Sequence, residues 1–234
     1  MWEAQLTIAD CGWRVIAPQL RGMDGGGADP PASSIDDYAG DVIDLLDALH
    51  VKDAVIGGLS MGGYVTFALF RHAPRYFRGM VLADTRPQPD TPESVAVRNR
   101  LLALVREKGA AGVAALADEM LPKLLASSTR EHHPDVVERI RGLVLANPPE
   151  AIAGALTALM TRADSTPLLK SIHCPTLILV GDRDTVTPPA LSEEMHRAIA
   201  GSELAIVEGA GHLSSIEQPD AFNKALARFI EHRV

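Results

Sequence analysis

The sequence predicts an α/β fold, a mostly parallel sheet with a helical insertion, and three observations carry that prediction. Short apolar runs alternate with stretches of helical periodicity, first up to residue 85 and again from residue 172. Such alternation implies parallel strands with helices packed on both faces. Between these blocks, residues 86–171 carry helical patterns and no obvious strand-like run. Finally, Ser60, Asp184 and His212 each follow a strand-like run, and active residues of open parallel sheets gather beyond the carboxyl ends of the strands. The expected division is a core of residues 1–85 and 172–234, with a helical cap inserted at 86–171 and no flexible linker flanking it.

Composition agrees and argues against several classes. The chain has 234 residues, 47% hydrophobic and 22% charged, which suits one globular domain with an insertion. A net charge of −8 argues against nucleic acid or an anionic membrane as partner. No apolar run approaches the roughly 20 residues that span a bilayer. The opening Met1-Trp2-Glu3-Ala4 lacks the basic start and apolar stretch of a signal peptide, so a cytoplasmic protein is expected. Cys11 and Cys174 make no disulfide framework and are expected to fill core space beside strands.

In chain order, residues 2–10 predict a short helix with Trp2, Leu6 and Ala9 on one face, stopped by Gly12. Residues 13–18 predict a strand, with Pro18 near its end where a missing N–H does least harm. After a loop rich in Gly, Asp and Pro, Ser34 and Asp37 form a capping-box variant, with Asp in place of Glu or Gln. The helix they open carries Ile35, Tyr38, Val42, Leu45, Leu46 and Leu49 on one stripe. Residues 53–56 predict a buried strand, 64–70 a helix that Pro74 helps to end, and 79–84 the next strand. In the insertion, residues 98–108, 110–126, 134–146 and 149–162 each predict a helix. A strand at 175–180, a helix at 189–200, a strand at 203–207 and a last helix follow; the last places Phe222, Leu226, Phe229 and Ile230 on one face.

The chemistry concentrates at Gly57-Gly58-Leu59-Ser60-Met61-Gly62-Gly63. Gly-x-Ser-x-Gly alone is a weak match, equally a glycine-rich turn with an incidental serine. Set between a strand and a helix, it predicts a nucleophile elbow. The chain must reverse within a few residues, and glycines at 58 and 62 remove side chains that would clash there. Ser60 then stands at a helix amino end, and the backbone N–H of Met61 points at the same spot as an oxyanion donor. Acyl transfer to serine needs a base for the hydroxyl proton and a carboxylate to orient that base. His212, in Gly209-Ala210-Gly211-His212, is the candidate base, and Asp184 the candidate acid. Asp182 and Asp84 are the alternative acids; Asp84 is otherwise a loop cap or turn former. His132-His133 and His50, His72, His173, His196 and His232 show no ligand spacing, so neither metal nor cofactor is expected. Met120, Leu124 and Met160 either line an acyl pocket or pack the insertion.

These residues resemble the α/β-hydrolase superfamily, and within it small esterases and enol-lactonase-like serine hydrolases. The matching stretches are Trp13-Arg14-Val15-Ile16-Ala17-Pro18 with Leu20-Arg21-Gly22, Gly58-Leu59-Ser60-Met61-Gly62-Gly63, Leu82-Ala83-Asp84-Thr85, Gly181-Asp182-Arg183-Asp184-Thr185-Val186-Thr187-Pro188 and Gly209-Ala210-Gly211-His212. The resemblance implies Ser60 as nucleophile, Asp184 as acid and His212 as base. Serine at position 60 argues against the haloalkane dehalogenases and epoxide hydrolases of this fold, which use aspartate there. Such proteins normally begin with a pair of strands, then a third strand and a His-Gly loop that completes the oxyanion hole. This sequence has no such segment, so an amino-terminally shortened fold is expected, with Gly25-Gly26-Gly27 either a replacement donor or a surface loop.

The expected function is cleavage of a small carboxylic ester through an acyl-enzyme. The alternatives are a lactonase on small lactones and a hydrolase-fold binding protein with an incomplete oxyanion hole. Without its family neighbours, the strand at 13–18 would leave Val15 and Ile16 on a sheet edge, which predicts a homodimer packed through the amino-terminal region.

Overall fold

In the computed structural model, which describes residues 1–23 and 31–234, the apolar runs after residue 50 become one parallel sheet. β1 (Ala54–Leu59), β2 (Phe77–Ala83), β3 (Thr176–Gly181) and β4 (Glu203–Val207) lie side by side in chain order. Successive side chains point to opposite faces of the sheet. Val81, Leu177 and Leu179 therefore face one layer, where Phe222 and Phe229 of α10 (Pro219–Arg233) cover them. Met80, Leu82 and Ile178 face the other, against Phe67 of α2 (Met61–His72) and Met195 of α8 (Pro189–Ala198). Burial on both sides explains why β2 and β3 are continuous apolar runs rather than alternating ones. α1 (Ile35–Ala48) packs on α2 through Tyr38, Ala39 and Leu46 against Tyr64, Val65, Ala68 and Leu69. A short α9 (Ser214–Glu217) precedes α10.

Between β2 and β3 the chain is helical: α3 (Pro92–Lys108), α4 (Ala110–Leu124), α5 (Ser127–His132), α6 (Pro134–Leu145), α7 (Pro149–Thr161) and a 3₁₀ turn at Thr166–Ser171. α5, at 6 residues, is too short to show a period in the sequence. The insertion has a core of its own, with Leu101, Leu102, Val105, Val113, Leu116 and Leu156. Met120 and Met160 pack against that core, while Leu124 packs against the cluster under the sheet. Its two ends are tied together at Asp90. The buried carboxylate of Asp90 lies 2.8 Å from Arg162 Nη1, 2.5 Å from Arg98 Nε and 3.2 Å from Arg86 Nη2. Burial pushes this carboxyl up, but the Arg98 and Arg162 guanidiniums more than offset it and hold it below its ordinary range. Arg162 also stacks on the Tyr64 ring at 4.2 Å, joining the end of the insertion to α2.

The amino-terminal region departs from expectation. Residues 3–11 form a helix, but it is 3₁₀. With three residues per turn, Trp2, Gln5 and Ile8 share the inner face, and Leu6 is exposed. Trp2 meets Phe222 at 6.1 Å, and Gln5 donates to Ser215 O and Asn223 Oδ1. Gly12 ends the helix in the left-handed region, φ 86°. Residues 13–18 are not a strand: they have strand composition but join no ladder among the described residues, and strand structure requires a hydrogen-bonded neighbour. Trp13 instead lies under the Arg78 guanidinium, 5.4 Å from its ring centroid, and Val15 packs against the core. Val15 and Ile16 are thus not on a sheet edge, and the edge on that side is β1. The homodimer expected from an amino-terminal edge strand loses that strand as its basis. Cys11, expected in the core, is exposed at the helix end; Cys174 packs beside β3.

Ser34 and Asp37 form the capping box that the sequence predicts. Ser34 Oγ accepts from Asp37 N at 3.0 Å, and Asp37 Oδ2 accepts from Ser34 N at 3.0 Å. Ser34→Ala should lower the unfolding free energy by about 1 kcal/mol. A urea titration checks this: the midpoint falls while the slope stays constant.

Candidate active site

β1 ends at Leu59 and α2 begins at Met61, so Ser60 makes the reversal alone. Its backbone takes φ 53° and ψ −112°, a region that costs a residue with a side chain roughly 1–3 kcal/mol. The end of β2 holds it there. Ser60 N donates to Ala83 O at 2.8 Å, and Thr85 Oγ1 donates to Ser60 O at 2.9 Å. The turn is closed on both sides: a Cβ on Gly58 would lie 2.0 Å from the Gly62 carbonyl carbon, and one on Gly63 2.4 Å from Thr85 Oγ1. Gly62, expected to be one of the tight positions, has open space where a Cβ would stand, so Gly63 takes that role. Met61 is the first residue of α2, and its N–H has no acceptor within the helix.

His212 arrives from β4 through a turn at Gly209, φ 76°. Its ring is buried, with Nε2 2.8 Å from Ser60 Oγ and Nδ1 2.8 Å from Asp184 Oδ2. With the proton on Nδ1, the ring donates to Asp184 and accepts the Ser60 hydroxyl proton. Asp184 follows β3 and is itself fixed by donors. Its Oδ1 accepts from Val186 N at 2.7 Å and Thr187 N at 2.9 Å; its Oδ2 accepts from Thr187 Oγ1 at 2.7 Å. Burial pushes this carboxyl up, but the hydrogen bond and charge of His212, with the Thr187 donors, hold it below its ordinary value. The three residues singled out in the sequence therefore meet in one hydrogen-bonded chain. Met61 N–H stands next to Ser60, and Gly25-Gly26-Gly27 lies outside the described residues.

The alternative acids serve the scaffold. Asp182 Oδ1 accepts from Gly209 N at 2.7 Å and shapes the turn leading to His212. Asp84 is more than a turn former. Its fully buried carboxylate accepts from Gly181 N at 2.9 Å, Ser214 N at 3.2 Å and Ser214 Oγ at 2.5 Å. It thus ties the end of β3, three residues before Asp184, to the start of α9, two residues after His212. Burial pushes the Asp84 carboxyl up to about 7, against the opposing pull of the His212 charge and of its own donors. Sequence reading missed Thr85, Thr187, Ser214 and Glu217. Thr187 alone carried a local signal, a hydroxyl three residues after an Asp in a turn. Among the described residues, no group of three or more His, Cys, Asp or Glu is placed to hold a metal ion.

Residues 1–225 match the alpha/beta hydrolase family. The chain is 31% identical over 226 residues to 3-oxoadipate enol-lactonase 2 of Acinetobacter baylyi, covering 97% of this chain and 82% of that protein. It resembles the solved structure of a thermophilic esterase from Thermogutta terrifontis with malate bound, at 39% identity and TM-score 0.93, over 98% of this chain and 84% of the other. It also resembles the enol-lactonase of Burkholderia xenovorans, at 30% identity and TM-score 0.89, over 99% and 86%.

The raised carboxyl of Asp84 makes stability depend on pH. A carboxyl whose value rises on folding stabilises most when protonated: its contribution is full below 3.8 and is lost as the pH climbs through about 7. Asn cannot titrate in this way. The melting temperature of the wild type minus that of Asp84→Asn should therefore fall between about pH 4 and about pH 7. Thermal melts followed by circular dichroism measure it, and a flat difference across that window would contradict the burial argument.

Proposed function

The chain belongs to the alpha/beta hydrolase family, and on that premise we propose that this hydrolase cleaves small carboxylic esters through Ser60, His212 and Asp184. The observation that carries the reading is the unbroken chain of hydrogen bonds from Ser60 Oγ through both nitrogens of His212 to Asp184, with 2.8 Å at each step. Ser60 Oγ attacks the ester carbonyl while His212 Nε2 takes its proton. The negative oxygen of the tetrahedral intermediate faces Met61 N–H and the positive end of α2; such a donor is worth about 2.7–4 kcal/mol in the transition state. Collapse breaks the bond to the alcohol, which leaves with the proton returned by His212. Water then attacks the acyl-Ser60 carbonyl, giving its proton to His212; the acid departs and Ser60 Oγ is reprotonated. Asp184, kept ionised, holds Nδ1–H toward itself and stabilises the imidazolium in each half. The steps need no metal and no cofactor.

A lactone is the second reading. Similarity to two enol-lactonases favours it, whereas similarity to the esterase favours an acyclic ester. The chemistry is shared; in a lactone the leaving alcohol stays tethered to the acyl group. In both readings the helical insertion acts as the cap that selects the acyl group. It is rich in Leu and Ala and has no Phe, Trp or Tyr between residues 86 and 171, which suits a small apolar acyl group.

Ser60→Ala should return p-nitrophenyl acetate hydrolysis to the background rate and abolish labelling by a fluorophosphonate, with the circular dichroism spectrum unchanged. Asp184→Asn should cut turnover by up to about 10⁴-fold by favouring the wrong His212 tautomer. A Ser60→Ala protein that keeps most of its activity would sink the reading. In a chain-length series of p-nitrophenyl esters, short acyl chains should turn over faster than long ones; a maximum at fatty acyl lengths would contradict the small acyl site.

A further inference from the structure

The loop that carries His212 rests on the helical insertion as well as on the end of β3. His212 N donates to Leu124 O at 3.0 Å, at the last residue of α4. The contact next to it is closer still: a Cβ on Gly211 would lie 2.7 Å from Ala126 N and 2.9 Å from the Leu125 carbonyl carbon. Beside this junction stands Glu217, the last residue of α9 and five residues beyond His212. Its Oε1 accepts from Gly211 N at 2.8 Å; its Oε2 accepts from Ala126 N at 2.8 Å and Thr129 Oγ1 at 2.7 Å. Ala126 is the cap residue at which α5 begins, so Glu217 holds the start of that helix from a distance. One carboxylate therefore grips the base loop with one oxygen and the insertion with the other.

We propose that Glu217 is a positioning residue that couples the helical insertion to the base, latching the Gly211-His212 backbone to the α4–α5 junction. Its reach into catalysis rests on the serine-hydrolase reading above. The described hydrogen bonds of Glu217 go to neither Ser60 nor the ring of His212. Glu217 acts by fixing where the His212 backbone starts, and the two 2.8 Å hydrogen bonds of the ring hold only from that start. The coupling runs both ways: a shift of the α4–α5 junction moves Gly211, and release of Gly211 frees the junction. All three of its described partners are donors, so an amide in its place must turn an NH₂ toward a donor on one side. Glu217→Gln is nearly the same size and opens the latch on the base side or on the insertion side.

The test uses the full chain in three forms: wild type, Glu217→Gln and Thr129→Val. Thr129 lies in α5, and among its described hydrogen bonds its hydroxyl donates to Glu217, so Thr129→Val loosens the latch from the insertion side. Two readouts are taken, kcat and KM for p-nitrophenyl acetate, and the ring ¹⁵N shifts of His212 by NMR. Glu217→Gln should lower kcat by about 10- to 100-fold, the cost of misplacing a reacting group by a fraction of an ångström to an ångström. kcat/KM should fall with it, as for a lost transition-state interaction. The His212 ¹⁵N shifts should move away from those of the Nδ1–H tautomer. Thr129→Val should move kcat and the shifts in the same direction by a smaller amount. It also keeps the test decisive if Glu217→Gln does not fold. Wild-type kcat and wild-type shifts in Thr129→Val would overturn the coupling, as would a Glu217→Gln protein whose kcat and shifts are unchanged. A wild type without esterase activity would overturn the ester-cleaving reading instead, and the ¹⁵N shifts would still decide the latch.

Discussion

Everything at this site depends on a turn with no room in it. Ser60 must sit at positive φ; backbone fills the space where a side chain at Gly58 would stand, and the Thr85 side chain fills it at Gly63. Such a turn does not hold itself. Three successive residues at the end of β2 supply the restraint: Ala83 and Thr85 bind the Ser60 backbone, and Asp84 between them binds the other two loops. Asp84 also has positive φ, 45°. Strain is thus stored at two adjacent points, the elbow and its brace, and the hydrogen bonds between the strand ends keep both from relaxing. β2 lies between β1 and β3 in the sheet, so the restraint is anchored in fully buried backbone.

Three buried carboxylates show how local donors decide charge. Asp184 meets His212 and the donors of Val186 and Thr187, and is held below its ordinary value. Asp90 meets arginines and is also held down. Asp84 meets only neutral donors at hydrogen-bond range, and there burial wins. At Asp84 three hydrogen bonds from neutral donors do not outweigh full burial. The same comparison separates a group suited to orient an imidazolium from one suited to brace a loop.

Much of this was legible beforehand, and the reasons for the misses are physical. The parallel sheet could be read because buried strands are short continuous apolar runs, and the elbow because Gly-x-Ser-x-Gly stands between such a run and a helical one. Ser60, Asp184 and His212 could be read because each follows such a run. Residues 13–18 misled because composition reports strand propensity and not the presence of a pairing neighbour. Trp2, Gln5 and Ile8 were missed as a face because their period is three rather than 3.6. The partners of Asp84, Ser214 and Glu217 were beyond reach for another reason: they include residues 97, 130 and 91 positions away, and no local pattern encodes a contact across that separation.

The cluster around Asp90 has a consequence for recombining this chain with its relatives. Asp90 stands at the entrance of the insertion and Arg162 at its exit, and they close the excursion between β2 and β3 with a buried ion pair. Arg86 and Arg98 add two further guanidiniums to the same carboxylate from the entrance side. A chimera that exchanges the helices inside this junction keeps the staple and inherits a preset docking angle. One that replaces Asp90 and keeps Arg162 leaves that arginine buried without its counter-charge, typically a loss of about 3–5 kcal/mol. The natural unit of exchange is therefore the whole stretch from Arg86 to Arg162, moved as a cassette with both of its clasps.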